Sequence, residues 1–288
     1  MRALVATDGS TEATAAIDWL SRLPMTWTAL RVVTVVTLPP SSIDIPTVRA
    51  YYQMLLDDGE RVVTAGRDRL RSRCPSVESQ VLQGEPREQI VEAVHGWKAD
   101  LLVVGARGLG GLTGALLGSV SGAVVRRAGC PVLVVKGRPG GLRRVVVGVD
   151  GSEDSIAAAR FLSTLPLTPG ISARLIAVVE PPPLVGQGPF PAALAVPEEL
   201  LKERRVTVEG ILARVAARLR SVTNDVECSV VVGRPAPEIV SAANEPGVDL
   251  VVVGARGLGQ IRRWLLGSVS ERVLSHAECP VLVVPVVA

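Results

Sequence analysis

The second half of the chain repeats blocks of the first half in a single register. Three blocks recur letter for letter 149 positions later (254 − 105 = 149): 103–110 as 252–259, 116–121 as 265–270, and 130–135 as 279–284. Three blocks in one register indicate an internal duplication rather than chance similarity. With 288 residues, each copy is long enough to bury a core of its own, so the sequence predicts one folding unit built twice.

The start of the repeat has a shorter offset. Asp8-Gly9-Ser10 recurs as Asp150-Gly151-Ser152, 142 positions later (150 − 8 = 142). The second copy therefore holds seven more residues ahead of its glycine block (149 − 142 = 7), and the proline- and glycine-rich stretch 181–197 is the predicted loop that contains them. The glycines and the proline of 136–141 are typical of a linker. We predict two domains, 1–138 and 142–288.

Short valine-rich runs, bounded by glycine and proline, predict strands that are buried on both faces of a parallel sheet. Hydrophobic residues make up 48% of the chain and aromatic residues only 3%, so the predicted core is aliphatic. The predicted strands lie near 3–7, 29–37, 77–82, 101–104 and 132–135, and again near 144–149, 172–179, 226–232, 250–253 and 281–284.

Helical patterns separate these strands. The predicted helices include 11–23 with Ser10 or Thr11 as N-cap, 198–220 with apolar residues on one face, two that have Pro86 and Pro235 in their first turns, and two that open at Ser119 and Ser268. Alternating strands and helices predict the α/β class, as two tandem doubly wound domains, each with a five-stranded parallel sheet. Ligands bind such sheets at the carboxyl ends of the strands.

Composition and charge argue against several classes of protein. The net charge is only +3 and no basic block is interleaved with aromatics, so we expect no nucleic-acid partner. No apolar run approaches the roughly 18 residues that a bilayer requires, and the first strand begins without a secretory segment. The four cysteines form no CxxC pair, so we expect no structural zinc and a reduced, cytoplasmic protein.

A glycine pattern begins directly after a predicted strand in each half and ends at a predicted helix start. The spacing Gly-x2-Gly-x9-Gly-Ser falls at Gly105, Gly108, Gly118 and Ser119, and again at Gly254, Gly257, Gly267 and Ser268. Glycines let the backbone approach a ligand closely and adopt positive φ. The first amides of a helix lack internal partners and lie at the positive end of its dipole, where a phosphate binds well.

Polar side chains near the glycines fit the same chemistry. The hydroxyls of Ser119, Ser121, Ser268 and Ser270 would add donors, and Arg107 and Arg256 would add positive charge. The alternative is that the glycines only shape a turn and let a helix pack closely, since duplication copies structural glycines as faithfully as functional ones.

One acidic residue stands at the end of the first strand of each half. A carboxylate at Asp8 or Asp150 would accept a hydrogen bond from a ribose hydroxyl or help to hold Mg²⁺. The alternative is a helix cap or a turn residue, because Asp-Gly-Ser is also a turn signal.

Catalytic motifs are missing from the sequence. There is no GxxxxGK[ST] loop, no GxGxxG after the first strand and no GxSxG nucleophile elbow. The two histidines, His95 and His276, lie at different points of the repeat. Nothing in the sequence supplies a clear general base or nucleophile, which argues against efficient catalysis.

Taken together, these residues resemble the universal stress protein family, whose ATP-binding members carry G-x2-G-x9-G-(S/T). The opening strand with Asp-Gly-Ser and the closing Cys-Pro-Val-Leu-Val-Val are also similar to that family, and the resemblance covers essentially the whole chain as two tandem domains. It implies a sheet order of 3-2-1-4-5 and ATP over the carboxyl ends of the first and fourth strands.

The resemblance also implies roles for individual residues. Asp8 and Asp150 would meet the ribose or a magnesium ion carried by ATP, and Val35 and Val178 would offer backbone groups to adenine. The implied phosphate sites are Gly105, Arg107, Gly108, Gly118, Ser119, Val120 and Ser121 in the first half and Gly254, Arg256, Gly257, Gly267, Ser268, Val269 and Ser270 in the second. Arg107 and Arg256 stand where the family varies.

Partners and function follow from the same resemblance. The closing strands 132–135 and 281–284 would pair within the chain, which protects two exposed edges, and further pairing into a homodimer stays open. The implied function is an ATP-binding stress-response regulator with up to two nucleotide sites, acting by conformation or partner binding. The alternatives are a slow ATP hydrolase or other nucleotide-using enzyme, and a nucleotide-free interaction module.

Overall fold

The first half forms alternating strands and helices. A computed structural model of the chain describes residues 1–23, 27–37, 46–74, 76–108, 117–137, 140–165, 170–181, 198–223, 225–258 and 266–286. The first-half elements are β1 (Arg2–Ala6), α1 (Thr11–Arg22), β2 (Ala29–Val36), α2 (Pro46–Leu70), β3 (Val77–Gln83), α3 (Pro86–Trp97), β4 (Leu101–Gly105), α4 (Ser119–Arg127) and β5 (Val132–Val135).

The second half repeats this order. Its elements are β6 (Arg144–Gly148), α5 (Glu153–Thr164), β7 (Ser172–Val179), α6 (Glu198–Leu219), β8 (Asp225–Val232), α7 (Pro235–Ala243), β9 (Leu250–Gly254), α8 (Ser268–His276) and β10 (Val281–Val284). The boundaries predicted from the sequence agree with these to within one residue at each end. The predicted cap of α1 is confirmed as Ser10, whose side chain accepts from the Ala13 amide.

The extra residues of the second half fall mainly between β7 and α6. β2 and β7 begin 143 positions apart (172 − 29 = 143), whereas α2 and α6 end 149 positions apart (219 − 70 = 149). Six of the seven additional residues therefore precede the end of α6, which agrees with the predicted loop. Residues 182–197 of that stretch lie outside the described residues.

The strands of each half are parallel and have the order implied by the resemblance. The full order is β3-β2-β1-β4-β5-β10-β9-β6-β7-β8, so the two five-stranded sheets merge into one sheet of ten. The junction is the predicted pairing of the closing strands, which is antiparallel and places Leu133 opposite Leu282. Because this pair alone is antiparallel, the carboxyl ends of the two halves point to opposite ends of the sheet.

Helices cover both faces of the sheet. Residues of α1, α2, α5 and α6 share one buried apolar cluster, and residues of α3, α4, α7 and α8 share the other. Alternate strand residues belong to different clusters, as Leu4 and Val5 show. The central strands are buried on both faces, which explains their unbroken runs of valine and leucine.

Side chains from both halves meet at the antiparallel junction. Leu133, Leu282, Trp19 and Phe161 surround a cavity of only about 20 Å³, so the two halves share one packed core. Polar contacts flank this core: the Lys136 Nζ donates to the Ala277 carbonyl at 2.7 Å, and burial lowers the pKa of that amine to about 8.

We predict that Leu133→Ala destabilises the whole chain. Leu133 is 4% exposed, and truncating a buried leucine leaves a cavity that costs about 2–5 kcal/mol. Urea unfolding followed by circular dichroism should show one transition with a lower midpoint. Met54→Ala is the control, because Met54 is 54% exposed and the change should cost less than about 0.5 kcal/mol. Two transitions, only one of them shifted, would contradict the shared core.

Candidate functional site

Each half has a cavity at the carboxyl ends of its strands. The first, of about 310 Å³, lies over β1 and β4, and the second, of about 480 Å³, lies over β6 and β9. Strand order reverses between these strands, which is where open α/β sheets bind ligands. The two cavities lie at opposite ends of the sheet because the halves are joined antiparallel.

All the residues predicted as site residues line these cavities. The first is lined by Asp8, Val35, Gly105, Arg107, Gly108, Gly118, Ser119, Val120 and Ser121, and the second by Asp150, Val178, Gly254, Arg256, Gly257, Gly267, Ser268, Val269 and Ser270. Sequence reasoning missed the apolar wall opposite the glycines, formed by Pro86 and Ile90 in the first cavity and by Pro235 and Ile239 in the second.

A helix N-terminus opens into each cavity without a side-chain cap. Gly118 and Gly267 are the N-caps of α4 and α8, and neither helix start has a side-chain hydrogen bond. Ser119 and Ser268, the first helical residues, are exposed. The uncapped amides together with the helix dipole form a site that favours an anion.

The motif glycines are required by close packing rather than by positive φ. A Cβ on Gly105 would lie 2.7 Å from the Ala13 nitrogen, and one on Gly254 would lie 2.6 Å from the Ser155 nitrogen. None of the motif glycines has a positive φ, whereas Gly9 (+78°) and Gly151 (+84°), in the turn after the first strand of each half, do. The first glycine of each motif therefore lets a helix pack closely against the strand end, as the structural explanation of the motif requires.

Two of the four serines hold the helix to the strand. The Ser121 hydroxyl donates to the Gly105 carbonyl at 2.7 Å, and the Ser270 hydroxyl donates to the Gly254 carbonyl at 2.6 Å. Both serines are buried, and their protons satisfy carbonyls at the strand ends. Ser121 and Ser270 therefore donate their hydroxyl protons to the protein backbone instead of to a ligand. Ser119 and Ser268 are exposed at the cavity.

The two aspartates organise the turn that precedes the first helix of each half. Asp8 Oδ1 accepts from the Ser10 amide at 3.0 Å, and Asp150 Oδ1 accepts from the Ser152 amide at 2.9 Å. Both aspartates therefore act as turn residues, and they are not the helix caps, which are Ser10 and Ser152. In both halves the second carboxylate oxygen faces the middle glycine of the motif, Gly108 or Gly257.

The two arginines are held by acidic residues that the sequence analysis did not single out. Arg256 makes two hydrogen bonds, of 2.7 and 3.0 Å, to the carboxylate of Asp154, which is 3% exposed and raises the pKa of Arg256. The matching pair, Arg107 with Glu12, is longer at 3.2 Å and partly exposed. Glu12 and Asp154 occupy the same place after Asp-Gly-Ser, which is the signal that identifies them.

The histidine, cysteine and lysine side chains of the described residues lie outside the two cavities. The described lining of the two cavities includes no histidine, cysteine or lysine. His95 and His276 contact the backbone carbonyls of Ala128 and Arg272. Among the described residues, no group of three or more His, Cys, Asp or Glu side chains is placed to hold a metal ion. Similarly, no helix in the described ranges is long and apolar enough to cross a membrane.

The fold and its two cavities define a tandem doubly wound α/β protein with a ligand-sized site at each point where strand order reverses. The sequence profile of the universal stress protein family matches residues 1–136 and 141–285, and the chain belongs to this family of stress-response proteins.

Relatives and solved structures agree with this assignment. A universal stress protein of Mycobacterium tuberculosis is 33% identical over 305 aligned residues, which cover 97% of this chain and 95% of the relative. One of Methanocaldococcus jannaschii is 34% identical over 142 residues, covering 49% of this chain and 81% of the relative. The crystal structure of a universal stress protein from Archaeoglobus fulgidus has the same fold, with a TM-score of 0.70, 22% identity, and coverage of 99% of this chain and 98% of that one.

We predict that Asp154 contributes more to the stability of the protein than Glu12 does. Asp154→Asn puts a neutral group at a buried position and leaves Arg256, which is 23% exposed, without its charged partner, so it should lower the free energy of unfolding by about 2–3 kcal/mol. Glu12→Gln is the matched control in the other half and should cost at most about 1 kcal/mol, because its pair is partly exposed. Urea titration of the two variants measures both values, and equal losses would contradict the assignment.

Proposed function

We propose that the protein is an ATP-binding regulator with one nucleotide site in each half, acting through conformation or partner binding. The observation that supports this most directly is the meeting of the complete glycine motif and an uncapped helix N-terminus in each cavity. The phosphates would lie at the N-terminus of α4 or α8, where the amides and the dipole favour negative charge.

The rest of the nucleotide has matching surroundings. In the first cavity, adenine would lie against Ile90 and the backbone of Val35, and the ribose would lie near the carboxylate of Asp8. Ile239, Val178 and Asp150 would do the same in the second. Where ATP carries a magnesium ion, the phosphates would hold it together with Asp8 in the first cavity or Asp150 in the second, since carboxylate and phosphate oxygens are its preferred ligands.

Binding without rapid turnover fits the groups that line the cavities. Arg107 and Arg256 are each paired with a carboxylate, and the cavity aspartates accept hydrogen bonds from their own turns. Besides these aspartates and Glu180, the described linings offer only serine and threonine hydroxyls as groups of the usual base or nucleophile type. A slow ATP hydrolase is the second candidate, and a nucleotide-free interaction module is the third.

A negative charge introduced at each helix start tests the phosphate assignment. Ser119→Glu should abolish ATP binding in the first half and Ser268→Glu in the second, because a carboxylate at the helix start repels a phosphate. Both side chains are exposed, and a glutamate there stabilises the helix by about 0.3–1 kcal/mol, so folding should be preserved. Isothermal titration with ATP should give two sites in the parent, one in each single variant and none in the double variant.

Neutral substitutions separate charge from size in that experiment. Ser119→Gln and Ser268→Gln place side chains of nearly the same shape at the same positions and should keep most of the binding. Unchanged stoichiometry in the double glutamate variant would overturn the phosphate assignment. If the parent protein binds no ATP at millimolar concentration and releases none on heat denaturation, the interaction module becomes the better description.

Turnover distinguishes a regulator from an enzyme. We expect hydrolysis of Mg-ATP to be far below the median rate of enzymes, which is about 10 per second. The measurement is phosphate release from Mg-ATP, with the Ser119→Glu, Ser268→Glu double variant as a control for contaminating activity. A rate near the enzyme median in the parent and its loss in the double variant would establish an enzyme.

A further inference from the structure

The two cavities differ on the side of the long helix that follows the second strand. Arg204 and Val208 of α6 line the second cavity, together with Glu180. The described lining of the first cavity includes no residue of α2, the corresponding helix. The second cavity is also larger, at about 480 Å³ against about 310 Å³.

Matching residues of α2 and α6 explain the difference in size. Gly9 packs against Val62, and Gly151 packs against Ile211, so the two helices correspond at an offset of 149 (211 − 62 = 149). Val208 therefore corresponds to Gly59. A Cβ on Gly59 would lie 3.0 Å from a methyl of Val36, so α2 can lie close to the sheet only because this residue is glycine. A valine at this position of α6 requires more room.

The same offset gives Arg204 a neutral counterpart, Leu55 in the first half. Arg204 is exposed, and its Nη1 donates to the Glu180 carbonyl at 3.3 Å, just beyond the end of β7. This contact uses one nitrogen of the guanidinium, whose planar fork suits phosphate and carboxylate groups. The described lining of the second cavity therefore includes a cation on the α6 side, Arg204, with the acidic Glu180 next to it, and the described lining of the first cavity has neither.

Asp150 is also near α6. Its neighbour Gly151 packs on Ile211, about two helical turns from Arg204 along the same helix. Dinucleotide-binding sheets use an acidic residue to bind the ribose hydroxyls in one class of site, and a nearby arginine to accommodate a phosphate on that ribose in the other class. The second cavity is lined by both types of residue, the acidic Asp150 and the basic Arg204.

We propose that the second site binds an adenine nucleotide that carries a phosphate on its ribose in addition to a 5′-phosphate, and that Arg204 is the residue that selects it. This inference rests on the proposed function, because it assumes that the 5′-phosphate lies at the N-terminus of α8. The first site, with Leu55 in place of arginine, makes no such selection.

Titration of the second site alone tests the selection. In a Ser119→Glu background, the ligands are ATP, AMP, adenosine 2′,5′-bisphosphate and adenosine 3′,5′-bisphosphate. At least one bisphosphate should bind about tenfold more tightly than AMP, the gain expected from one charge-assisted hydrogen bond. Adding Arg204→Leu should reduce that ratio to about one while AMP binding stays the same. Which bisphosphate is preferred identifies the ribose position.

Arg205→Leu is the matched control. It removes the same charge one residue along α6, but Arg205 is paired with Glu209 at 2.9 Å and lines a different cavity. The bisphosphate preference should survive this change. In a Ser268→Glu background, which leaves the first site, the bisphosphates should show no preference over AMP.

The outcomes separate the inference from the function on which it rests. If ATP binds in the Ser119→Glu background but the bisphosphates have no advantage over AMP, or keep it in Arg204→Leu, the selection is wrong and the proposed function stands. If ATP and all other nucleotides fail to bind in that background, both the second nucleotide site and its selection are overturned. A bisphosphate preference at the first site would also contradict the role of Arg204.

Discussion

The antiparallel pairing of β5 with β10 is the contact on which the rest of the structure depends. It covers the edge that each five-stranded sheet would otherwise expose, and it lets buried residues of both halves share two continuous apolar clusters. It also fixes the direction of every other element. Because the halves run in opposite directions, the two cavities lie at opposite ends of the sheet and cannot share one small ligand.

The same geometry gives the two sites a physical connection. The ion pair of Arg126 with Glu271 joins the last turn of α4 to the first turn of α8. An exposed pair of this kind contributes little to stability, but α4 and α8 are the helices whose starts open into the two cavities. This ion pair therefore joins the two helices that open into the cavities.

The atoms of the glycine segment that pack against the rest of the protein differ from those that are open to a ligand. The first glycine of each motif allows α1 or α5 to contact the strand end, and Ser121 or Ser270 ties the following helix to the same strand. These contacts engage the hydroxyls of Ser121 and Ser270, and they leave the helix amides and the exposed Ser119 and Ser268 as the groups that can face an anion. The two explanations that the sequence leaves open for the glycines are thus both compatible with one structure.

The sequence predicts features that depend on neighbouring residues or on repetition. The strands, the cap at Ser10 or Thr11 and the glycine segments at the strand ends follow from local patterns and the common register, whereas the pairing of 132–135 with 281–284 follows from the family resemblance. Contacts between distant segments are different. The ion pair of Asp154 with Arg256 joins residues 102 positions apart. Nothing in the local sequence distinguishes it from the longer, more exposed pair of Glu12 with Arg107.

The role of α6 is hidden from the sequence for a related reason. No letter block links α2 with α6, and the offset of the repeat changes from 143 to 149 between the second strand and the end of the following helix. The correspondence of Arg204 with Leu55, and of Val208 with Gly59, becomes visible only when Gly9 and Gly151 are seen to pack on the same turn of the two helices. Backbone packing, rather than sequence similarity, aligns this part of the duplication.

The charges of the two sites can be compared on this basis. In the first cavity Arg107 is paired with Glu12 in a partly exposed contact, and an exposed ion pair of this kind contributes little to stability. In the second cavity Arg256 is held by a buried carboxylate, and withdrawing it would leave Asp154 uncompensated at a cost of several kcal/mol. Arg256 is thus a structural cation. Arg204, at an exposed position of α6, is the other arginine in the described lining of the second cavity, where the first half has a leucine.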